Sequence, residues 1–158
     1  MRLWHKDLIP YLPRQQLLSQ WRECVCIAKS LADKGTPNHI LVNRILYYPS
    51  WHFEKYGLDI VNEMRKRGYK PSYESCARFD GYIKQWTNER KDKPKYWTPE
   101  IFEYWHNDDY LIQCFCNLKE KHTCGGIDDK EFGKVISFMK KKFPFNHAFV
   151  TFDFGGGR

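Results

Sequence analysis

Between Pro13 and Gly35 the chain reads RQQLLSQWRECVCIAKSLADK, with apolar residues returning at Leu17, Leu18, Trp21, Cys24, Val25, Ala28 and Leu31. Spacings of three and four place these side chains on one face of a helix; a strand would need strict alternation. Gly35 is a natural stop, because glycine enters the left-handed backbone that closes a helix without steric cost. Such a helix is about 30 Å long at about 1.5 Å per residue. A fold containing it must bring other apolar faces around the stripe. The remaining faces carry two rows: Gln15, Ser19, Arg22 and Cys26 in one, Gln16, Gln20 and Glu23 in the next.

The rest of the chain reads mainly as further helices. Thr36-Pro37 has the form of an N-cap and first turn, predicting a second helix to about Tyr47 before Tyr48-Pro49-Ser50 breaks it. A third is expected from Trp51 to Arg67, with Phe53, Tyr56, Ile60, Val61 and Met64 inward and Gly68 as its stop. A fourth spans about Tyr73 to Asn88, and the run Glu89 to Lys95 reads as a charged loop. Thr98-Pro99-Glu100 opens another helix, broken near Asn107 and continuing to about His122. After the Gly125-Gly126 turn, Asp128 or Asp129 caps a last helix ending in Lys140-Lys141-Lys142. The tail His147 to Arg158 reads as a short strand or an extended segment. The fold class is therefore all-α: a single helical domain over residues 1–158 with long loops, its core in residues 1–125 and a C-terminal helix and tail in residues 126–158.

Charge narrows the function. With 26 Lys and Arg against 19 Asp and Glu, the net charge of +7 fits a polyanionic partner, most simply nucleic acid. No apolar run reaches the length of a membrane span, and no secretory leader pattern is present, so the expectation is a soluble cytoplasmic protein with no membrane partner, acting as a monomer in a bacterial or virus-infected cell. The six cysteines, Cys24, Cys26, Cys76, Cys114, Cys116 and Cys124, are then expected to stay reduced. Cys114, Cys116, His122 and Cys124 invite a zinc reading, but they lack paired CxxC spacing, so no metal is assigned. The aromatic residues, 17% of the chain, are expected mostly in the core, with a few free to stack on bases or sugars.

Arg22-Glu23, beside the buried stripe, would by itself be an ordinary solvated pair. Its setting carries more. Arg2 at the N-terminus, Leu8-Ile9, Leu12, Gln15, Leu17 and the Trp21-Arg22-Glu23 block together resemble the pyrimidine-dimer DNA glycosylases of the phage endonuclease V type. The run Asp59 to Tyr69, ending Arg67-Gly68-Tyr69, is similar to a helix end of that family, and fainter likenesses lie at His106-Asn107-Asp108 and Asn117 to Lys121. The opening MRLWH…LIPYLPRQQLL…REC also looks like a bacterial and viral branch usually assigned to it. The likeness runs over about the first 125 residues.

The resemblance implies a DNA repair glycosylase with abasic-site lyase activity, acting on duplex DNA that holds a damaged base, with a pyrimidine dimer as the implied lesion and no cofactor. Its nucleophile would be the chain's own amine, that of Met1, since methionine is normally retained before a residue as large as Arg2. An α-amine ordinarily titrates at about 7.7–8.0 and a lysine at about 10.4, so more of the α-amine is free base at neutral pH. It can attack the sugar, displace the base and form an iminium, while Glu23 stabilises the cationic sugar and moves protons. Arg2 and Arg22 would grip phosphates, Gln15 and Gln16 would contact bases or backbone, and His5 and His39 are further candidates near this end. The sequence also departs from the family. The segment up to Glu23 is one residue longer, Gln16 replaces a histidine and Cys26 replaces an arginine. Tyr96-Trp97 and Tyr104-Trp105 are the candidates for the family's aromatic C-terminal segment. Another modified base, or a nucleic-acid-binding module without catalysis, remain the alternative readings.

Overall fold

The computed structural model describes residues 1–144. Five α-helices, α1 (Arg14–Lys34), α2 (Ser50–Lys66), α3 (Tyr73–Glu89), α4 (Asp108–Thr123) and α5 (Asp129–Lys142), are joined by two 3-10 helices, Lys6–Tyr11 and Asn43–Tyr47. No strand occurs among the described residues. The all-α expectation holds, and the extended reading of the tail from His147 falls outside the described residues.

The helix α1 forms over the span its periodicity requires and ends at Gly35, whose backbone is left-handed (φ 69°) with its N–H on the Leu31 carbonyl. Its buried face holds Leu17, Trp21, Cys24, Ile27, Ala28, Leu31 and Ala32, together with Gln20. α3 lies along it, and α2 packs against both. The α2–α3 approach is close at Gly57, where an added Cβ would lie 2.8 Å from Phe79 Cε1. One apolar cluster unites these helices with the α4–α5 pair through Leu111, Phe115, Leu118, Phe132, Val135 and Met139.

Arg67, at the end of α2, ties the N-terminal turn to the bundle. Its guanidinium donates to the carbonyls of Leu12 (2.6 Å), Pro10 (2.9 Å) and Ile9 (3.2 Å), and its Nε to Glu63 (2.6 Å). These carbonyls lie at the C-terminal end of a short helix, where they lack intrahelical partners and a cation is electrostatically favoured. Arg90 serves the second 3-10 helix in the same way, donating to the carbonyls of Leu46 and Tyr48.

Two helix expectations need correction. Residues 36–47 form no α-helix: Asn38 is left-handed (φ 53°), its N–H is taken by Thr36 Oγ1, and regular structure resumes only in the 3-10 turn from Asn43. Local side-chain bonds of Thr and Asn outcompeted the helix that Thr-Pro suggested. Likewise no helix starts at Thr98, whose hydroxyl donates to the Glu100 carbonyl two residues on. The chain turns at Phe102, a buried residue with φ 53°, and α4 begins only at Asp108, capped by the Asn107 side chain accepting from the Tyr110 N–H.

Candidate active site

From the row Gln16, Gln20 and Glu23, the last two bond to the N-terminal segment. Gln20 is buried and clamps two residues of it: its Nε2 donates to the Arg2 carbonyl (3.0 Å), and its Oε1 accepts the Trp4 N–H (2.8 Å). One turn on, Glu23 Oε2 accepts the Arg2 backbone N–H (3.1 Å). The carboxylate is thus hydrogen-bonded to the peptide unit that joins Arg2 to Met1, whose side chain is exposed.

Other elements complete the clamp. From α2, the Tyr56 hydroxyl contacts the Trp4 carbonyl (2.8 Å) and Gln20 Oε1 (3.1 Å). From α4, the Tyr110 hydroxyl donates to the Leu3 carbonyl (2.6 Å). From the turn after Phe102, His106 Nδ1 accepts the Lys6 N–H (2.9 Å). Residues 2–6 are therefore held through their main chain by side chains distributed over α1, α2, α4 and a loop. Leu3 and Trp4 are buried, so each of these bonds satisfies a polar group that water cannot easily reach.

The buried tyrosines are held neutral by this setting. Burial pushes the Tyr56 hydroxyl well above its ordinary value, helped by nearby Cys24 and other acidic groups, and burial does the same to Tyr110. Both therefore remain O–H donors. His5 is buried, with Nδ1 accepting the Asp7 N–H (3.1 Å) and Nε2 placed to donate to the His106 carbonyl (2.7 Å), which requires the neutral Nε2–H tautomer. Burial lowers its pKa, only partly opposed by Asp7. His5 thus works on the backbone of the N-terminal turn. His39 stands in a different place, in the turn before the second 3-10 helix, where its Nδ1 accepts the Leu41 N–H (3.3 Å).

Of the other sequence candidates, Arg22 and Gln15 are exposed on α1, as is Cys26 on the same row. Gln16 is half-buried, and its Oε1 has no hydrogen-bond partner among the described residues. Arg2 is half-buried, its guanidinium 5.7 Å from the Trp4 ring centre. It lies near enough to Cys114 and Tyr110 to act electrostatically on both.

Tyr110 also borders a cleft. One lobe of ≈ 350 Å³ is lined by Ile40, Leu41, Arg44, Trp105, Asn107 and Tyr110; a second of ≈ 380 Å³ adds Tyr47, Tyr48, Tyr96 and Tyr104, and the two share Arg44, Trp105 and Asn107. Lys95 Nζ stands 5.0 Å from the Tyr96 ring centre and 5.6 Å from that of Tyr47. Tyr47 and Tyr104 are exposed at the cleft, Tyr47 beneath Lys95 and Tyr104 against Tyr96.

The cysteines form no disulfide among the described residues. Cys24 and Cys114 are buried, and burial raises both thiols. Cys116 and Cys124 are exposed, and His122 Nε2 lies 2.8 Å from Asp129. No group of three or more metal-ligating side chains comes together among the described residues, and no helix there is long and apolar enough to cross a membrane.

Sequence reading singled out Glu23, Arg2 and Arg22 but set Gln20 among outward residues and took Tyr56 only as core. The available signal for Gln20 was its shared row with Glu23. Tyr110 and the ring of His106 carry no local signal, since their partners lie 107 and 100 residues away.

Residues 1–75 match the family model described as pyrimidine dimer DNA glycosylase. No curated protein and no solved structure matches the chain. The matched span holds α1, the clamped N-terminal segment and α2; α4, α5 and the Tyr96–Trp105 part of the aromatic cleft lie beyond it.

Proposed function

We propose, with the family match over residues 1–75 as premise, that this protein is a DNA N-glycosylase with abasic-site lyase activity whose nucleophile is the Met1 amine and whose proton-transfer group is Glu23. The observation that carries the reading is the bond from the Arg2 N–H to Glu23 Oε2, which couples the carboxylate to the residue next to the amine. A nucleophile at the end of a free chain would lose its advantage to conformational freedom, and the main-chain clamp of residues 2–6 removes that freedom before substrate arrives.

The amine nitrogen attacks C1′ of the deoxyribose, and the glycosidic bond breaks with its electron pair leaving on the pyrimidine. Opening of the sugar ring gives a C1′ iminium on the Met1 nitrogen. Glu23 then takes a C2′ proton, and β-elimination expels the 3′ phosphate; water releases the amine from the remaining aldehyde. A carboxylate suits this sequence, because it stabilises the cationic sugar first and accepts the proton afterwards. Arg22 and Arg2 supply phosphate contacts, Gln15 and Gln16 contact the duplex, and the aromatic cleft beside Tyr110 takes an extruded base. A pyrimidine dimer is the proposed lesion.

Borohydride trapping tests the proposal. Untagged protein on an abasic-site duplex, and separately on an ultraviolet-irradiated duplex, should give a reduced crosslink at Met1 by mass spectrometry. The crosslink should vanish when the amine is acetylated, and strand cleavage should fall at least about a hundredfold in Glu23→Gln. Duplex binding without a crosslink on either substrate would instead support a non-catalytic binding module. A crosslink on the abasic duplex alone would retain the chemistry but reassign the lesion to another base.

A further inference from the structure

Helix α5 lies beyond the matched residues, and its surface is divided by charge. Phe132, Val135, Ile136 and Met139 are buried. On the outer face Lys130, Lys134, Ser137 and Lys141 follow at intervals of four, three and four, all exposed. That spacing makes one straight row about 16 Å long. The row borders an open groove of ≈ 840 Å³ whose other wall includes Pro10 and Tyr11. Tyr11 and Phe138 stack on each other at 4.5 Å in the groove.

The helix dipole favours Lys141, in the last turn, but accounts for neither Lys130 nor Lys134, which are like charges one turn apart. Lys130 sits in the first turn, where the helix dipole disfavours a cation. The acids nearby are engaged elsewhere: Asp128 accepts the Glu131 N–H, Asp129 pairs with His122, and Glu131 accepts the Arg14 N–H. Lys142, by contrast, pairs at the surface with Asp7 (3.6 Å) and Asp108 (3.8 Å). Among the described residues Lys130, Lys134 and Lys141 make no ion pair. A row of cations held along a rigid rod matches a row of phosphates. With Tyr11 and Phe138 occupied by each other, the groove offers charge rather than sockets for apolar anchors.

We propose that the Lys130–Lys134–Lys141 face of α5 is a second duplex-DNA backbone contact, which extends the footprint beyond α1. This rests on the reading of the protein as one that acts on DNA. The row starts next to the first turn of α1, to which Glu131 is bonded and from which exposed Gln15 projects.

The test compares undamaged-duplex binding by wild type, by K130Q/K134Q/K141Q and by a charge-matched control, K66Q/K84Q/K91Q, at salt between about 50 and 200 mM. Each phosphate contact contributes about 0.9 to the slope of log affinity against log salt, so the α5 variant should lose about 3 from that slope and the control distinctly less. Because the substituted lysines are exposed, a matching circular dichroism melt verifies folding. An unchanged slope in the α5 variant, or an equal fall in the control, overturns the proposal; so does an unchanged slope with lost affinity for a polyglutamate probe, which would assign the face to an acidic peptide. The same proteins are assayed by trapping on the abasic duplex. Wild type that fails to trap while the α5 slope difference persists would reject the amine chemistry and leave this surface standing. Trapping with an unchanged α5 slope would reject the surface alone.

Discussion

Gln20 shows how one side chain can serve both stability and the candidate site. It makes three hydrogen bonds, to the Arg2 carbonyl, the Trp4 N–H and the Tyr56 hydroxyl, and is buried while making them. In Gln20→Leu the side-chain volume is nearly kept, but the Arg2 carbonyl and the Trp4 N–H lose their partner, while the Tyr56 hydroxyl keeps the Trp4 carbonyl. Unsatisfied buried groups cost about 1–3 kcal/mol each, and relaxation recovers part of this, so urea unfolding should show a loss of about 2–4 kcal/mol. Trapping should slow at saturating DNA with little change in duplex affinity, since Gln20 does not reach the protein surface. A slowed rate that extra protein fully restores would mean that Gln20 affects binding rather than placement of the amine.

At the scale of elements, the site depends on how closely α2 and α3 approach α1. Gly57 lets Phe79 press onto the α2 backbone, and the ring is held from its other sides by Trp21 (centres 5.3 Å apart) and Phe53 (5.6 Å). Tyr56, which contacts the N-terminal segment, is the residue before Gly57. Gly57→Ala gains intrinsic helix propensity but forces a Cβ into a closed contact. Overpacking of this kind typically costs about 1–3 kcal/mol, so a net loss of stability is expected in chemical denaturation, where an exposed helix would instead gain from the same change. A stabilised Gly57→Ala would show that the α2–α3 crossing can relax.

Across the whole molecule, three buried histidines make stability depend on pH. Burial lowers the pKa of His5, of His52 and, most strongly, of His106, where His5 and Lys6 push in the same direction. Each stays neutral in the folded protein at pH values where the unfolded chain, near about 6.5, takes up a proton. The unfolded state then binds more protons, so stability rises with pH up to that value and falls as the pH drops below it. The slope approaches about 1.4 kcal/mol per pH unit for each histidine between its folded and unfolded pKa. Unfolding free energies measured from about pH 7.5 to 5 should decline below about 6.5, and His106→Gln should flatten the decline. A flat profile over that range would mean that the histidines are solvated in the folded state.

The sequence determined the helical class, the length of α1 and most of its buried face (Gln20 and Ile27 are buried where the spacing predicts Leu18 and Val25), the stops at Gly35 and Gly68, and the placement of Glu23 beside a buried stripe. All of these follow from local spacing and from the backbone freedom of glycine, which act within one or two helical turns. It also contained the pattern that residues 1–75 share with the glycosylase family. The tertiary structure alone decided that residues 36–47 and 98–107 turn instead of forming α-helix, because competing side-chain bonds and a buried left-handed Phe102 set their course. It alone brought Tyr56, His106 and Tyr110 onto residues 3–6, across 52, 100 and 107 positions of chain. Hydrophobic periodicity tells each helix which face to bury, but it carries no record of which distant main-chain group a buried hydroxyl or imidazole will meet. That pairing is made only when the apolar faces close around the N-terminal segment and its polar groups must find partners out of water.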